Sequence, residues 1–259
     1  MLQNGRFSKG RIKLINMENK SINTFSKQQS KEKLIIVGIS TTSVQVLDFV
    51  KFYNLYEVIG FAVNSIYKKQ SEFQGLPVYS LETLREECPC HDYKLFVAVQ
   101  WNHLNRDRRI LYEYCKANGF EMANIISPKA IVRCPIDKDN LYIDDYVVIM
   151  NGVKLGNNCY FKASCICGSN VILGDHCFLG IKSVIGGGCV IGEQSFVGLN
   201  ATVFDCTQIG KKCLIGACAI VKRNMIDFSK CATSMSGINI KQYDEIEIEE
   251  KLVAAKNVR

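Results

Sequence analysis

The second half of the chain repeats one pattern of apolar and polar positions every six residues. Between Leu141 and Asn224 it divides into fourteen blocks without an insertion or deletion. The third position of every block is apolar, and the first is small or β-branched in all but the opening block. A helix of 3.6 residues per turn cannot keep this spacing on one face, whereas six residues are a whole number of two-residue pleats. Each block is therefore predicted to be one short strand and one corner.

Glycine marks the predicted corners, because the position after the apolar one is glycine in nine of the fourteen blocks. Glycine adopts a positive φ at little cost, so we expect these glycines to supply that conformation. The sixth position is mostly polar, and its side chains are expected to face solvent. Three corners close one triangular coil. The fourteen blocks thus predict four to five stacked coils of a parallel β-helix with one shared core.

Upstream, from residue 32 to about 126, buried strands alternate with helical segments. KLIIV, YEVIGFAVN and KLFVAVQ read as strands, and TTSVQVLDFVKFYN and NRDRRILYEYCKANG read as helices. A short helix is also expected after GLPVYS, with Ser80 as its cap and Glu82 in its first turn. This order predicts an α/β domain at 32–126, followed by a β-helix domain at 127–224 and an extension at 225–259 with an acidic helix.

Charge and cysteine content narrow the possible functions. The net charge is +7, but the first 33 residues hold eight Lys or Arg and two Glu, which is +6. The chain contains no basic stripe interleaved with aromatic residues, so nucleic-acid binding is not expected. We interpret residues 1–31 as a disordered basic tail. No apolar run reaches the ~20 residues of a membrane span, so a cytoplasmic protein without membrane contact is expected.

Thirteen cysteines do not indicate disulfides here. Eight lie in the repeats, and five of these occupy the small first position, where a thiol acts as a compact apolar filler. A reducing compartment follows from this use. Cys88, Cys90 and His91 have no second ligand pair at a zinc spacing, so no metal site is predicted.

The repeat resembles that of the hexapeptide-repeat acyltransferases, which form left-handed β-helices and generally work as trimers. A Rossmann-like domain before such a β-helix is similar to the group of bacterial sialic-acid O-acetyltransferases and UDP-4-amino-sugar N-acetyltransferases. The resemblance implies transfer of an acetyl-type group from acyl-CoA, with acetyl-CoA as donor, to an amino or hydroxyl group of a nucleotide sugar in surface-polysaccharide synthesis. It also implies a homotrimer.

The resemblance places the nucleotide sugar at the loops that follow the strands of the α/β domain. The group's glycine-rich loop corresponds to residues 38–43, and its G-N-x-x-x-R loop to Trp101–Arg106, with Trp101 in place of the glycine. Trp101 either stacks on a base or packs under its loop. The residues implied to contact the nucleotide sugar are Gly38, Ser40, Thr41, Thr42, Asn64, Gln100 and Asn102.

For catalysis, the group's histidine base falls on Ser169, whose neutral hydroxyl accepts protons poorly. His176, one corner further along, is the only imidazole in the repeats. It is either a relocated base or an idle surface residue, and we take His176 and Ser169 as the catalytic candidates. The resemblance implies that coenzyme A lies between neighbouring β-helices, at Phe178, Gly198, Leu199, Gly216, Ala217 and Lys222.

The sequence is also compatible with a second function and disfavours a third. A catalytically silent trimer that binds a sugar nucleotide or a partner protein fits the replaced histidine. An NAD-dependent oxidoreductase is disfavoured, because the chain has no G-x-G-x-x-G motif.

Overall fold

The computed structural model of the chain describes residues 31–234 and 237–250. The predicted basic tail, apart from Lys31, lies outside the described residues, as does everything after Glu250.

An α/β domain opens the described chain. Its sheet has the order β3-β4-β2-β1-β5, with parallel pairing from β4 to β5 and antiparallel pairing of β3 with β4. Helix α1 packs on one face, and α2 and α3 pack on the other. The elements are β1 (Lys33–Val37), α1 (Thr41–Tyr53), β2 (Glu57–Val63), a 3₁₀ turn (Ser65–Tyr67), β3 (Glu72–Phe73), β4 (Leu76–Ser80), α2 (Leu84–Glu87), β5 (Lys94–Val97) and α3 (Arg106–Ala117).

The start of α2 differs from the prediction. Ser80 is the last residue of β4, and the helix begins four residues later at Leu84, with Thr83 at its N-cap position. The backbone N–H of Ser80 donates to the carboxylate of Glu87 at 3.1 Å. Ser80 is therefore a strand end tied to the helix, and the prediction of Ser80 as a cap was wrong because the strand continues further than its apolar residues indicated.

The six-residue repeats form a three-sided prism of short parallel strands, as predicted. From Tyr142 to Val203, each strand residue pairs with the residue 18 positions later, as Tyr160 does with Phe178, so three blocks make one coil. Face 1 of the prism contains β6 (Ile125–Ile126), β8 (Tyr142–Ile143), β10 (Tyr160–Phe161), β13 (Phe178–Leu179), β16 (Phe196–Val197), β19 (Leu214–Ile215), β21 (Ser229–Ser234) and β22 (Gly237–Gln242).

The other two sides carry shorter ladders. Face 2 contains β7 (Ile131–Val132), β9 (Val148–Ile149), β11 (Ile166–Cys167), β14 (Val184–Ile185), β17 (Thr202–Val203) and β20 (Ile220–Val221). Face 3 contains β12 (Ile172–Leu173), β15 (Val190–Ile191) and β18 (Gln208–Ile209). Helix α4 (Glu245–Glu250) follows the antiparallel pair β21–β22. Repeated parallel strands of this kind fit a left-handed β-helix.

Burial inside the prism confirms the predicted roles of the first and third block positions. Every third-position residue from Ile143 to Val221 is at most 5% exposed, and every first-position residue from Leu141 to Ala219 at most 4%. The cysteines at the first position of the blocks lie within this core. The apolar and small positions therefore face inward together and bury one continuous core.

The glycines occupy the corners, but for a different reason from the predicted one. The positive φ falls on the sixth position of a block, as at Asn158, His176 and Gln194, and not on the glycine. A Cβ on Gly156 would lie 2.3 Å from the backbone carbonyl of Gly174 in the next coil. At Gly156 the stacked backbones pass too closely for a side chain, and this contact requires the glycine.

Face 1 packs against the sheet of the α/β domain through a stack of aromatic side chains. Tyr142, Tyr160, Phe178 and Phe196 project from successive coils, with neighbouring ring centroids 4.9–6.3 Å apart. They share a core cluster with β1, β2, β5 and α1. Aromatic burial of this extent joins the two domains.

Candidate functional site

One cavity gathers most of the predicted substrate residues. It measures about 550 Å³ and lies where β1, β2 and β5 end. Parallel strands bring their carboxyl ends to the same edge of a sheet, which is where ligands bind in open α/β folds. The predicted residues in its wall are Gly38, Ser40, Asn64, Gln100 and Asn102, and the other lining residues include Ile39, Tyr67, Asp107, Ile110 and Leu111.

The first loop of this cavity requires a glycine. Gly38 has φ +117°, and a Cβ there would come within 3.0 Å of the carbonyl oxygen of Ala98. Ser40 caps α1, and its backbone N–H donates to Oγ of Ser43 at 3.1 Å. The hydroxyl of Ser43 in turn donates to the carbonyl oxygen of Ala98 at 3.0 Å. The loop after β1 is thus fixed to the loop after β5.

The second loop, after β2, is hydrogen-bonded to a carboxylate outside it, that of Glu82. Nδ2 of Asn64 donates to Glu82 at 3.1 Å, and the N–H of Ser65 donates to the same carboxylate at 2.9 Å. Glu82, 17 residues after Ser65, therefore places a negative charge against the loop after β2. The predicted first-turn position of Glu82 in α2 is wrong, and its partners at the strand end explain why.

The third loop is anchored on the prism. The hydroxyl of Tyr160 donates to the carbonyl oxygen of Val97 at 2.7 Å, and the N–H of Val97 donates to Oδ1 of Asn140 at 2.8 Å. Trp101 packs with its ring centroid 5.0 Å from that of Phe178. This contact bears out the packing interpretation of Trp101, whereas stacking on a base stays a prediction.

Two predicted substrate residues lie away from the cavity. Thr41 is exposed in the first turn of α1. Thr42 lines a separate, water-sized cavity of about 20 Å³, together with Trp101, Tyr160 and Lys162. The structure thus brings five of the seven predicted substrate residues together.

His176 is buried between the prism and α3. The residue is 6% exposed, and its ring meets Tyr112 edge-on at 5.6 Å. Nδ1 of the ring accepts a hydrogen bond from Nδ2 of Asn158 at 2.9 Å, and Nε2 lies 3.9 Å from Glu113. Burial lowers the pKa of His176 to about 4. The interpretation of His176 as a surface residue is wrong, and its catalytic role stays a prediction that this geometry does not support.

Ser169 and His176 lie at different corners of the prism. Ser169 is exposed immediately after β11 on face 2, whereas His176 precedes β13 on face 1, with β12 between them. The carbonyl oxygen of Ser169 accepts from the N–H of Gly188 in the next coil at 2.8 Å. The catalytic role of Ser169 also stays a prediction.

The predicted donor residues divide between two environments. Phe178 is 5% exposed inside the aromatic stack, under Trp101. Leu199, 55% exposed, and Ala217 lie one coil apart at the corner between faces 1 and 2. Gly198 and Gly216 precede them, and a Cβ on Gly198 would lie 2.5 Å from the N–H of Ala217. Lys222 is exposed at the next corner, its amine 5.2 Å from the ring of Phe204.

Buried Arg108 reinforces the junction of the two domains. Its guanidinium donates to the carbonyl oxygens of Asn158, His176 and Cys177 at 3.1–3.2 Å and lies 4.2 Å from the ring of Tyr160. These contacts stabilise a buried cation without a carboxylate, although its Nη1 has no hydrogen-bond partner. Nothing in the sequence pattern marked Arg108 as a core residue.

Comparison with known proteins identifies the class of the prism. Residues 170–192 and 188–223 match the family described as hexapeptide repeat of succinyl-transferase. These coils are therefore hexapeptide repeats. No curated protein matches the sequence.

Solved structures resemble the chain over both domains. A mutant of perosamine N-acetyltransferase from Caulobacter crescentus, in complex with CoA and GDP-perosamine, is 23% identical, with a TM-score of 0.69 over 82% of this chain and 97% of that one. The acetyltransferase domain of PglB from Neisseria gonorrhoeae is 22% identical, with a TM-score of 0.57 over 82% and 100%. WeeI from Acinetobacter baumannii is 14% identical, with a TM-score of 0.64 over 82% and 100%. The chain shares the fold of these proteins.

Among residues 31–234 and 237–250, no helix is long and apolar enough to cross a membrane. The same part of the chain holds no cluster of three or more side chains suited to a metal ion.

Proposed function

We propose that the protein transfers an acetyl-type acyl group from acyl-CoA, with acetyl-CoA as donor, to a nucleotide sugar. The observation that carries the proposal is the 550 Å³ cavity at the strand ends, fixed to a prism of hexapeptide repeats. In this proposal the α/β domain is a Rossmann-like nucleotide-sugar domain. The likeness to an N-acetyltransferase solved with CoA and GDP-perosamine supports both ligands.

The chemistry favours an amino group over a hydroxyl group as acceptor. The chain has three histidines, and the only one in the repeats, His176, is neutral and buried. A neutral amine attacks a thioester without prior loss of a proton, whereas a hydroxyl group needs a base near pH 7. The amine nitrogen bonds to the thioester carbonyl carbon, the C–S bond breaks, and CoA leaves as the thiol. The proton lost by the nitrogen is taken up, through water, by the sulfur of the departing CoA.

Charge and exposure near the prism corner support donor binding there. Leu199 and Ala217 offer an apolar surface at one corner. Lys222 and Arg223 are exposed at the next corner and provide positive charge for the phosphates of CoA. Face 1 is covered by the α/β domain, so the donor approaches from the remaining sides.

A homotrimer is part of the proposal, because face 2 presents a nearly continuous apolar column. Its outward residues are Ile131, Val148, Ile166, Val184, Thr202 and Ile220. Ile166 is 38% exposed and Ile220 is 41% exposed in the single chain. Apolar surface in a continuous row marks a site of association, and closed homo-oligomers are the usual result. A second copy on face 2 would also form the groove for the donor.

The test is turnover by the purified full chain. Acetyl-CoA is incubated with UDP-, dTDP- and GDP-linked amino sugars and with matched sugars that carry a hydroxyl group in place of the amine, and release of free thiol is followed. We expect release with an amino sugar and much less with its hydroxyl counterpart. His176→Asn should leave the rate unchanged.

Gly38 provides a matched pair of variants. Gly38→Ala puts a methyl group within 3.0 Å of the neighbouring loop, whereas Gly75→Ala, also at a positive φ, meets nothing within 4 Å. Turnover should be lost in the first variant and kept in the second. If the wild type binds acetyl-CoA and a nucleotide sugar without thiol release, the silent binding scaffold is the correct function, as the missing base at Ser169 would indicate.

A further inference from the structure

Helix α4 lies where the α/β domain meets the prism. Ile248 of this helix is fully buried and forms a cluster with Leu104, from the loop after β5, and Leu214, from the prism. Phe196, Phe228 and Tyr243 surround the cluster. The C-terminal helix therefore packs against both domains at once.

A buried carboxylate on α4 connects the same two domains. Glu249 is 5% exposed and accepts a hydrogen bond from Nη1 of Arg106, the first residue of α3. Its second oxygen lies 3.4 Å from Nε2 of Gln194 and 3.8 Å from Nζ of Lys212, both on the prism. A carboxylate with three such partners is expensive to disturb, because removing it leaves Arg106 without its counter-charge.

The loop that α4 contacts has an unfavourable conformation. His103, Leu104 and Asn105 have φ angles of +51°, +50° and +64°, three consecutive left-handed residues without a glycine. Asn105 is fully buried, and neither polar atom of its side chain has a hydrogen-bond partner. Such features cost free energy and persist only where the surrounding contacts hold them.

This left-handed turn borders the cavity. Asn102 precedes it and Asp107 follows it, and both residues line the cavity. Two backbone hydrogen bonds close the turn, from the N–H of Asn105 to Trp101 and from the N–H of Arg106 to His103, each 3.1 Å long. The position of both cavity residues therefore depends on the turn.

We propose that α4 is a positioning element for the cavity. Glu249 acts through Arg106 and Ile248 acts through Leu104, and together they hold the left-handed turn so that Asn102 and Asp107 face the ligand. Only the identity of the ligand rests on the proposed function. The positioning itself rests on the contacts of α4.

The first experiment measures the turn directly. Hydrogen–deuterium exchange of the Asn105 and Arg106 amides is compared in the wild type, Glu249→Gln and Glu247→Gln. Glu247 is an exposed residue of the same helix and serves as the control. We expect about tenfold faster exchange in Glu249→Gln, a typical size for coupling between two sites, and no change in Glu247→Gln. Unchanged exchange in Glu249→Gln would overturn the proposal.

The second experiment measures ligand binding to the cavity, with UDP and GDP as probes. Glu249→Gln should raise the dissociation constant of the nucleotide that binds the wild type about tenfold and leave that of acetyl-CoA unchanged. A merely structural role would weaken both ligands equally, and that result contradicts the proposal. If neither nucleotide binds the wild type, the proposed function fails, while the exchange measurement still decides the role of α4.

Arg106→Gln removes the other partner of the same ion pair. It keeps the test valid if Glu249→Gln fails to fold. Both single variants should give the same effect, and the double variant should add nothing further, because each change removes the same contact. Additive effects would show that the pair does not act as a unit and would contradict the proposal.

Discussion

The side-chain amide of Asn158 donates a hydrogen bond to Nδ1 of His176 over 2.9 Å. The orientation of this amide follows from its oxygen, which accepts from Nε of Arg108 at 3.2 Å and from Nδ2 of Asn140 at 2.7 Å. The nitrogen of the amide must therefore face His176, so Nδ1 is an acceptor and the proton of the neutral ring lies on Nε2. His176 is an acceptor within a buried polar network and presents no basic nitrogen to solvent.

Stability should consequently fall below neutral pH. The pKa of His176 is about 4 in the folded protein because burial disfavours the cation, against an ordinary value of 6.5. Between these two values the unfolded chain binds a proton that the folded chain does not, so the free energy of unfolding decreases as the pH falls. From pH 7.5 to pH 5 this histidine should contribute a loss of about 2 kcal/mol.

Urea denaturation at the two pH values checks this prediction. His176→Asn keeps a residue that tolerates a left-handed backbone, and it should reduce the loss by about 2 kcal/mol. His91→Asn, at an exposed histidine, should leave the loss unchanged. An equal loss in the wild type and in His176→Asn would mean that the imidazole is not held neutral.

A histidine introduced at position 169 should accelerate the reaction. Ser169 is exposed, and the resemblance puts the base of the related enzymes there. General base catalysis typically contributes a factor of about 100 or more, so Ser169→His should raise kcat/KM for thiol release about 100-fold. Ser169→Gln, which adds a polar side chain without a basic nitrogen, should not. Equal rates for the two variants would show that position 169 does not face the reacting groups.

The glycines at the fourth position of the blocks should differ in how well they tolerate alanine, according to how closely the next coil approaches. A Cβ at Gly156 would lie 2.3 Å from the backbone of Gly174, whereas the nearest atom to a Cβ at Gly216 is the oxygen of Cys231 at 3.3 Å. Gly156→Ala should cost about 3 kcal/mol of unfolding free energy, the upper end for overpacking, and Gly216→Ala about 1 kcal/mol or less. Urea denaturation at pH 7.5 measures both, and similar costs would rule out contact between coils as the reason for the glycines.

Self-association should depend on face 2. Sedimentation velocity of the wild type should give a trimer, and Ile220→Lys should give a monomer, because a charge in an apolar interface is not solvated. Ile172→Lys is the matched control, since Ile172 is exposed to a similar degree, 43% against 41%, but lies on face 3. A trimer in Ile220→Lys, or a monomer in Ile172→Lys, would assign the interface to another side.

The interior of the prism could be predicted from sequence because it depends on position within a block. Ile143 and Cys159 face inward for the same local reason as their equivalents in every later coil. The role of the glycines could not be predicted in the same way. The atom that excludes a side chain at Gly156 belongs to a residue 18 positions later, and this contact exists only once the coils are stacked.

Exposure of the sixth-position side chains could also be predicted only in part from the sequence. Asn170 and Asn200 face solvent as predicted, whereas Asn158, His176 and Gln194 are buried. The difference arises because α3 and α4 cover one corner of the prism, and no property of the repeat reveals which corner a distant helix will cover.

The candidate site was predicted where it follows strand ends. Gly38, Asn64 and Asn102 each come shortly after a predicted strand, so the parallel sheet places them at one edge. Glu82 and Asp107 were not predicted as neighbours of the site. They belong to a loop and a helix whose packing against that edge is tertiary, and a single carboxylate in a helical segment gives no separate signal.

The anchoring of Val97 by Tyr160 and Asn140 limits how the molecule can handle a substrate. Four stacked rings and buried Arg108 lie at the same junction, so a closing motion of one domain on the other would break these buried contacts. In the proposed reaction, a nucleotide sugar bound in the cavity must therefore be long enough for its amine to reach the donor at the prism. In the proposed reaction, a substrate longer or shorter by one sugar ring would place its amine at a different distance from the donor. The fixed distance between cavity and prism would then select substrates by their length.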